Sequence, residues 1–181
     1  AKSAWNPREY IGYSEQRENQ DKKTVEEIVE EYHKWDKQNP NTIVGAEIEM
    51  DIKIGDYIID GKIDRVEQTP DGEYVIVDYK TGGKDKEITN LNESLQLNIY
   101  AMGLRAKKKF GKLPKLVSYF YPEKEGQQIF SYEVNQTDID NTKRKLEEFL
   151  KSIDDGEFGA DPDMKRCGWC DYKDLCEESK A

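Results

Sequence analysis

No run of apolar residues in this chain approaches the length that crosses a membrane, and its first residues lack the apolar stretch of a secretion signal. A membrane-spanning protein and a secreted one are therefore set aside, and the expected location is the cytoplasm. Positive charge is also in deficit: 28 Lys and Arg against 38 Asp and Glu leave a formal net charge of -10. That balance argues against a protein that coats nucleic acid with cations, although an enzyme needs only a local basic groove. There is no internal repeat and no low-complexity linker. Cysteine is missing from the first 166 residues, and Cys167, Cys170 and Cys176 then fall within ten positions. An odd, clustered set without a secretion signal reads as metal ligands rather than as a disulfide framework.

What is present is enough for one domain with a real core: 181 residues, 35% of them hydrophobic and 36% charged. "DKKTVEEIVEEYHKW" carries Thr24 followed three places on by Glu27, a capping-box pattern. Val25, Ile28, Val29, Tyr32 and Trp35 then form one helical stripe. "TIVGAEIEMDIKIG" alternates Ile48, Met50, Ile52 and Ile54 with Glu47, Glu49, Asp51 and Lys53, as a strand with one wet face does. "YIIDGKIDRVEQ" and "EYVIVDYKTG" are two more strands joined through the turn residues "TPDG". "ESLQLNIYAMGLRAKKKF" reads as a helix with Leu95, Ile99 and Met102 inward, "KLVSYFYP" and "QIFSYEV" as strands, and "DIDNTKRKLEEFLKSIDDG" as a helix closing at Gly156. The order αβββαββα predicts an α/β domain with a mixed sheet flanked by helices. The expected organisation is a poorly ordered lead over residues 1–23, a core over 24–158 and a cysteine-containing tail over 159–181 that packs on the core.

Two of these strands carry charges that call for compensation. Side chains alternate along a strand, so Ile76, Asp78 and Lys80 share one face. Asp64, on the preceding antiparallel strand, is placed by the hairpin at the same end of the sheet. An ionised carboxylate is costly to bury unless it is paired or bound to a metal. Two carboxylates and a lysine together suit a hard divalent cation, with water and a phosphate oxygen completing its shell. Taken alone, Asp78 and Lys80 are equally well read as a solvated edge pair. Gln96 and Tyr100 follow at i, i+4, on one face of the next helix.

As a set, "GKIDRV", "VIVDYKTG" and "SLQLNIYA" resemble the RecB-type branch of the PD-(D/E)xK nuclease superfamily, in which an Asp-x-Lys motif is followed by a Gln-x-x-x-Tyr helix. The tail "DPDMKRCGWCDYKDLC" is similar to the end of those members that hold an iron–sulfur cluster. Such domains occur in UvrD/Rep-type helicase C-terminal regions, in AddB-like subunits and as CRISPR-associated nucleases. The resemblance implies a restriction-endonuclease-like core and a metal-dependent deoxyribonuclease, expected to be an exonuclease of DNA repair or recombination. In it Asp64, Asp78 and the Tyr79 carbonyl hold Mg²⁺ or Mn²⁺, Lys80 orients the attacking water or offsets charge on the phosphate, and Gln96 and Tyr100 position the strand. The implied partners are DNA, single-stranded or with single-stranded ends, and helicase domains or a partner subunit, with no membrane. The alternative is a nuclease fold without catalysis, used to bind DNA or to dock in a helicase complex.

Two departures from the family pattern stand out. Its metal-binding histidine lies on an upstream helix in a different context, and here only His33 is available, either as a ligand or as an exposed helical histidine. Its cluster takes a first cysteine from far upstream, which this chain lacks, so Cys167, Cys170 and Cys176 leave open a [4Fe–4S] cluster completed in a longer parent, a zinc site, or free thiols. Both absences lead to the expectation that the chain is part of a larger protein. Three further features have two readings each. The basic run from Arg105 to Lys115 is either a DNA-backbone patch or a solvated helix end. Tyr119, Phe120 and Tyr121 either stack on bases or fill the core. Glu47 and Glu49 either assist the metal or line a wet face.

Overall fold

The fold is taken from a computed structural model that describes residues 14–81 and 89–180. Residues 1–13 of the expected lead, and Gly82 of the Asp-Tyr-Lys-Thr-Gly run, lie outside the described residues. The chain forms two compact units, one ending at Lys143 and one beginning at Arg144. In order, the elements are α1 (Glu15–Gln38), β1 (Thr42–Ile54), β2 (Tyr57–Gln68), β3 (Tyr74–Tyr79), a single 3-10 turn (Leu91–Glu93), α2 (Leu95–Ala106), β4 (Leu116–Phe120), β5 (Ile129–Glu133), α3 (Gln136–Asp154) and α4 (Met164–Trp169). The strands form one sheet in the order β1-β2-β3-β4-β5. β3 and β4 run parallel across the α2 connection, and the other pairs are antiparallel. The mixed sheet flanked by helices is thus as the sequence pattern predicts.

The meander is set by local chemistry. Between β2 and β3 the Gly72 N–H donates to the Thr69 carbonyl at 2.9 Å, and the Thr69 hydroxyl accepts from the Glu73 N–H at 3.0 Å. Gly72 closes this reversal at φ +83, where a side chain would be strained. Ile63, Val66, Ile76, Val77, Val117 and Phe120 are fully buried along the central strands. Each stabilises the fold by about 1.5–3 kcal/mol relative to exposure.

One sheet face is covered by the last turns of α1. Trp35 stacks on Phe120 with ring centroids 4.4 Å apart, and Tyr32 meets Tyr79 edge-on at 5.7 Å. Beneath them lies Arg65, only 2% exposed. Its guanidinium contacts Asp36 at 2.7 Å and Glu67 at 2.6 Å, donates to the hydroxyls of Tyr32 (3.1 Å) and Tyr79 (3.3 Å), and lies 4.8 Å from the Trp35 ring centre. Asn39 and Asn41 each donate a side-chain N–H to the buried Glu67 carboxylate, at 2.7 and 2.9 Å. Glu67 is thus buried against Arg65, Asn39 and Asn41, while the half-buried Asp36 meets Arg65 from α1.

Local differences from the sequence pattern concern helix starts and faces. α1 begins at Glu15 with Ser14 as its N-cap, accepting from the Arg17 N–H at 3.2 Å. Thr24 instead turns its hydroxyl back to the Gln20 carbonyl at 3.1 Å. Val25 and Val29 are exposed, so the expected stripe packs only from Tyr32 onward. In α2 the buried positions are Leu97, Ala101, Met102 and Leu104, while Leu95 is exposed. A Cβ on Gly103 would lie 1.9 Å from Met50 Sδ, so α2 crosses β1 at a distance only glycine permits. α2 ends at Ala106, and the basic run beyond it turns so that Phe110 packs edge-on to Tyr74 at 5.1 Å.

Candidate active site

The site begins where the β2–β3 ladder ends. Arg65 pairs with Val77, so the next positions outward, Asp64 and Asp78, lie side by side on the face away from α1. The next ladder bond is not made by backbone. Asp64 Oδ2 instead accepts the Tyr79 N–H at 2.9 Å, and the strands part around its carboxylate. β3 continues against β4, the Lys80 N–H donating to the Phe120 carbonyl at 2.9 Å. That bond fixes the backbone from which the Lys80 side chain projects beside Asp78.

Asp78 is 2% exposed, and Lys80 Nζ lies 2.5 Å from its Oδ2. The contact is ionic rather than a directed hydrogen bond, so Oδ2 is buried with no properly aligned donor. Burial pushes the Asp78 carboxyl above the usual carboxylate range against the pull of Lys80, and the neighbouring charge of Asp64 pushes it the same way as burial. Burial also works against the Lys80 charge, but the Asp78 carboxylate outweighs it and the ammonium is held more tightly protonated than usual.

α2 supplies the third wall, with Ser94 capping it by accepting the Leu97 N–H at 3.2 Å. Lys80 Nζ donates to Gln96 Oε1 at 2.7 Å, and Gln96 Nε2 donates to the Tyr100 hydroxyl at 3.1 Å. Burial raises the pKa of the Tyr100 hydroxyl, and the negative charges of Asp78 and Asp64 act in the same direction. Asp64, Asp78, Lys80, Gln96 and Tyr100 are therefore brought together, and Tyr79 contributes a backbone N–H. The pattern on the strands and the i, i+4 spacing on the helix converge because β3, β4 and α2 form one crossover.

Two members of the network were not recognised in the sequence as partners of Lys80 and Gln96. Tyr119, beside Asp78 in the parallel register, lies with its ring centre 5.0 Å from Lys80 Nζ and its hydroxyl 2.7 Å from the Ser94 hydroxyl. The signal for both would have been the parallel pairing of β3 with β4, which a sequence pattern does not give. Phe120 points to the other face, where it is core, and Tyr121 is buried against Tyr119 and Phe130.

The remaining candidates are placed differently. His33 is exposed on α1, its ring 5.6 Å from that of Tyr32. Glu47 adopts a left-handed φ of +48 and pairs with Lys62 at 3.2 Å; it lines, with Asp64 and Tyr79, a cavity of about 420 Å³. Glu49 is exposed opposite Lys62. In the basic run, Lys107 contacts Asp51 at 3.1 Å, Lys109 donates to the Val44 carbonyl at 2.9 Å, and Lys112 contacts Glu73 at 2.9 Å. These cations tie turns to strands.

In the unit from Arg144, Asp163 caps α4 by accepting the N–H groups of Lys165 and Arg166 at 3.0 and 3.1 Å. Cys167 is buried, Cys170 exposed and Cys176 half-buried, all as free thiols. The backbone N–H of Lys180 lowers the pKa of the Cys167 thiol. Among the described residues no three His, Cys, Asp or Glu side chains come together to hold an ion. The three thiols as placed therefore do not fit an iron–sulfur cluster or a closed zinc site, which need converging thiolates. The Asp64–Asp78 pair does fit a hard divalent ion. It offers two adjacent carboxylates and a buried oxygen without an aligned donor, and such ions keep waters and take substrate phosphates.

The model of the PD-(D/E)XK nuclease superfamily matches residues 2–177 of the chain. A solved structure from Eubacterium rectale, described provisionally as an exonuclease, aligns with a TM-score of 0.53 at 20% identity, covering 88% of this chain and 62% of its own. A structure named SSO0001 aligns with a TM-score of 0.46 at 16% identity, covering 76% of this chain and 61% of its own. At these identities the structural likeness shows the fold alone. No curated protein matches the chain.

Proposed function

The chain belongs to the PD-(D/E)XK nuclease superfamily, and from that membership together with the site geometry we propose that it hydrolyses DNA phosphodiester bonds in a Mg²⁺- or Mn²⁺-dependent reaction, as an exonuclease acting on single strands or single-stranded ends. The observation that carries the reading is the convergence of Asp64, Asp78 and Lys80 at the parted end of the β2–β3 ladder. A binding surface has no need to bury Asp78 beside a second carboxylate, since both would repel phosphate. Superfamily members typically use divalent metals, and Asp64, Asp78 and the Tyr79 carbonyl are the groups that would hold one here.

When bound, such an ion lowers the pKa of a coordinated water and draws charge from the phosphoryl oxygens. The chain's own residues do the rest. Asp64 and Asp78, neighbours at the end of the ladder, would supply the carboxylate ligands, Asp64 being fixed by the Tyr79 N–H. Lys80 brings a positive charge to the scissile phosphate from a seat set by Asp78 and Gln96. Gln96 and Tyr100 hold that seat from α2. The nuclease core is assigned to residues 24–158 and the tail to 159–181, and the proposal extends to work alongside helicase domains on the resemblance of the motifs and tail alone. An iron–sulfur cluster would need the three thiols to converge and a fourth ligand from elsewhere, and it forms no part of this reading.

Labelled single- and double-stranded DNA incubated with Mg²⁺, Mn²⁺ or EDTA tests the proposal. Cleavage with either metal, its loss in EDTA and its loss in Asp78→Ala are expected. Single nucleotides should be released from one labelled end, whereas internal fragments would point to endonuclease action. No cleavage under any metal, or wild-type rates in Asp78→Ala, would overturn the proposal.

A further inference from the structure

We propose that Tyr119 is a positioning residue of this site, its ring seating the Lys80 ammonium and its hydroxyl setting the orientation of the Gln96 amide; the role rests on the nuclease reading above. The parallel register places Tyr119 directly beside Asp78, on the same face of the sheet. Its ring centre lies 5.0 Å from Lys80 Nζ, within range of a cation–π contact. Tyr121 backs the ring edge-on at 6.1 Å and is itself buried, which restricts the ring to this position.

The direction of each hydrogen bond follows from what each group can do. Gln96 Oε1 only accepts, and it takes bonds from Lys80 Nζ at 2.7 Å and, more weakly, from the Tyr119 hydroxyl at 3.4 Å. In the proposed arrangement Tyr119 donates to Gln96 at 3.4 Å and accepts from the Ser94 hydroxyl at 2.7 Å, a contact in which either hydroxyl can donate. Ser94 is free to donate because its oxygen already accepts the Leu97 N–H at the helix cap. With Oε1 held toward Lys80 and Tyr119, the Gln96 amide nitrogen must face Tyr100, to which it donates at 3.1 Å. A flipped Gln96 amide would face Lys80 with its NH₂ group and break the sequence at both ends. Tyr119 stands against that flip, since its hydroxyl adds a second donor on the Oε1 side. The alternative use of Tyr119, stacking on a DNA base, is hindered by the Lys80 ammonium over its ring.

Steady-state cleavage of a labelled oligonucleotide with Mn²⁺ by wild type, Tyr119→Phe, Tyr119→Leu, Gln96→Ala and Gln96→Ala/Tyr119→Phe tests the role. Tyr119→Phe keeps the ring and should lower kcat roughly 3- to 10-fold at unchanged KM, the loss of one ordinary hydrogen bond. Tyr119→Leu should lower kcat further. In the Gln96→Ala background, Tyr119→Phe should lower kcat less than about twofold, because the partner through which it acts is gone. Should the Tyr119 variants not fold, Ser94→Gly removes the donor to Tyr119 at an N-cap position that tolerates glycine, and it should show the same loss in kcat. An effect confined to KM, an equal loss in both backgrounds, or an unchanged kcat in Ser94→Gly would overturn the role while leaving the nuclease reading intact, provided wild type cuts and Asp78→Ala does not. A wild type that cuts no DNA would overturn both.

Discussion

The two faces of the central sheet each bury charge, and they do so in opposite ways. Under α1, Arg65 sits between Asp36 and Glu67, and Asn39 and Asn41 each donate to the Glu67 carboxylate. One residue earlier along β2, on the other face, Asp64 and Asp78 are neighbours with Lys80 as the one cation shown against them. Both groups set two carboxylates against one cation, but the first adds the side-chain N–H groups of Asn39 and Asn41 to its buried carboxylate, whereas in the second burial pushes the Asp78 carboxyl above its usual range. A buried carboxylate held by neutral donors is settled within the fold, while one placed beside a second carboxylate favours a ligand that brings positive charge.

The largest effect should come from breaking the second group. Asp64→Ala, Asp78→Ala and Lys80→Ala should each reduce cleavage by about 10³-fold or more, because each removes a group that acts on the charge of the transition state. Circular dichroism should show an intact fold in all three. A crystal soaked in Mn²⁺ should place the ion between the Asp64 and Asp78 carboxylates, at ~2.0 to 2.3 Å from oxygen. Carboxylates that remained apart around an ordered water would sink this assignment.

Breaking the group under α1 should instead damage stability. Arg65→Met strands Glu67 and Asp36 without their cation and should cost about 3–5 kcal/mol in urea unfolding. The double variant Arg65→Met/Glu67→Met removes both members and should recover much of that loss. If Arg65→Met unfolds no more easily than wild type, the cluster is not what fastens α1 to the sheet.

How much of this could be seen in the sequence depended on how rigidly the backbone dictates side-chain direction. Asp78 and Lys80 were placed together by strand alternation, and Gln96 and Tyr100 by the helical i, i+4 spacing; neither depends on the rest of the fold. The pairing of β3 with β4 is a long-range choice, so Tyr119, read as base-stacking or core, and Ser94, within the helix motif, were not recognised as partners of Lys80 and Gln96. The inward face of α2 was read correctly at Met102 but not at Leu95, for a related reason. Turning Gln96 and Tyr100 toward Lys80 rotates Leu97, Ala101 and Leu104 into the core and leaves Leu95 exposed. The start of α1 was missed because Glu15 to Lys23 offers no apolar face, and a capped, charge-paired helix needs none. The cysteine spacing fixed which residues were close along the chain but not where their thiols point, and they do not converge.

A subtler change sharpens the comparison without removing volume. The folded-state pKa of Asp78 is raised from its ordinary value of 3.8, chiefly by burial, so the native state binds that proton more tightly than the unfolded chain. Stability from this group is greatest below the unfolded pKa and falls as pH rises through the folded one. Asn at this position is neutral throughout. Asp78→Asn should therefore unfold at a higher temperature than wild type at pH 7. The gain should shrink as pH is lowered toward the ordinary carboxylate value. Equal melting temperatures at pH 7 would mean that Lys80 fully offsets the burial.

The smallest effect is expected where charge lies on neither face but at the rim. Lys112 and Glu73 are both partly exposed and 2.9 Å apart, and the ammonium also reaches the Gly72 carbonyl at 3.3 Å across the β2–β3 turn. Water already solvates both charges, so their attraction contributes little and salt weakens it further. Lys112→Ala should cost under about 1 kcal/mol of stability. Because its charge is spent on the turn, DNA affinity should keep nearly the same dependence on salt. If Lys112 instead contacts a phosphate, the slope of log affinity against log salt concentration should fall by about one. Binding isotherms for wild type and Lys112→Ala at several salt concentrations, measured in Ca²⁺, separate the two. A slope reduced by a full unit would move the run from Arg105 to Lys115 out of the structural account and into the DNA path.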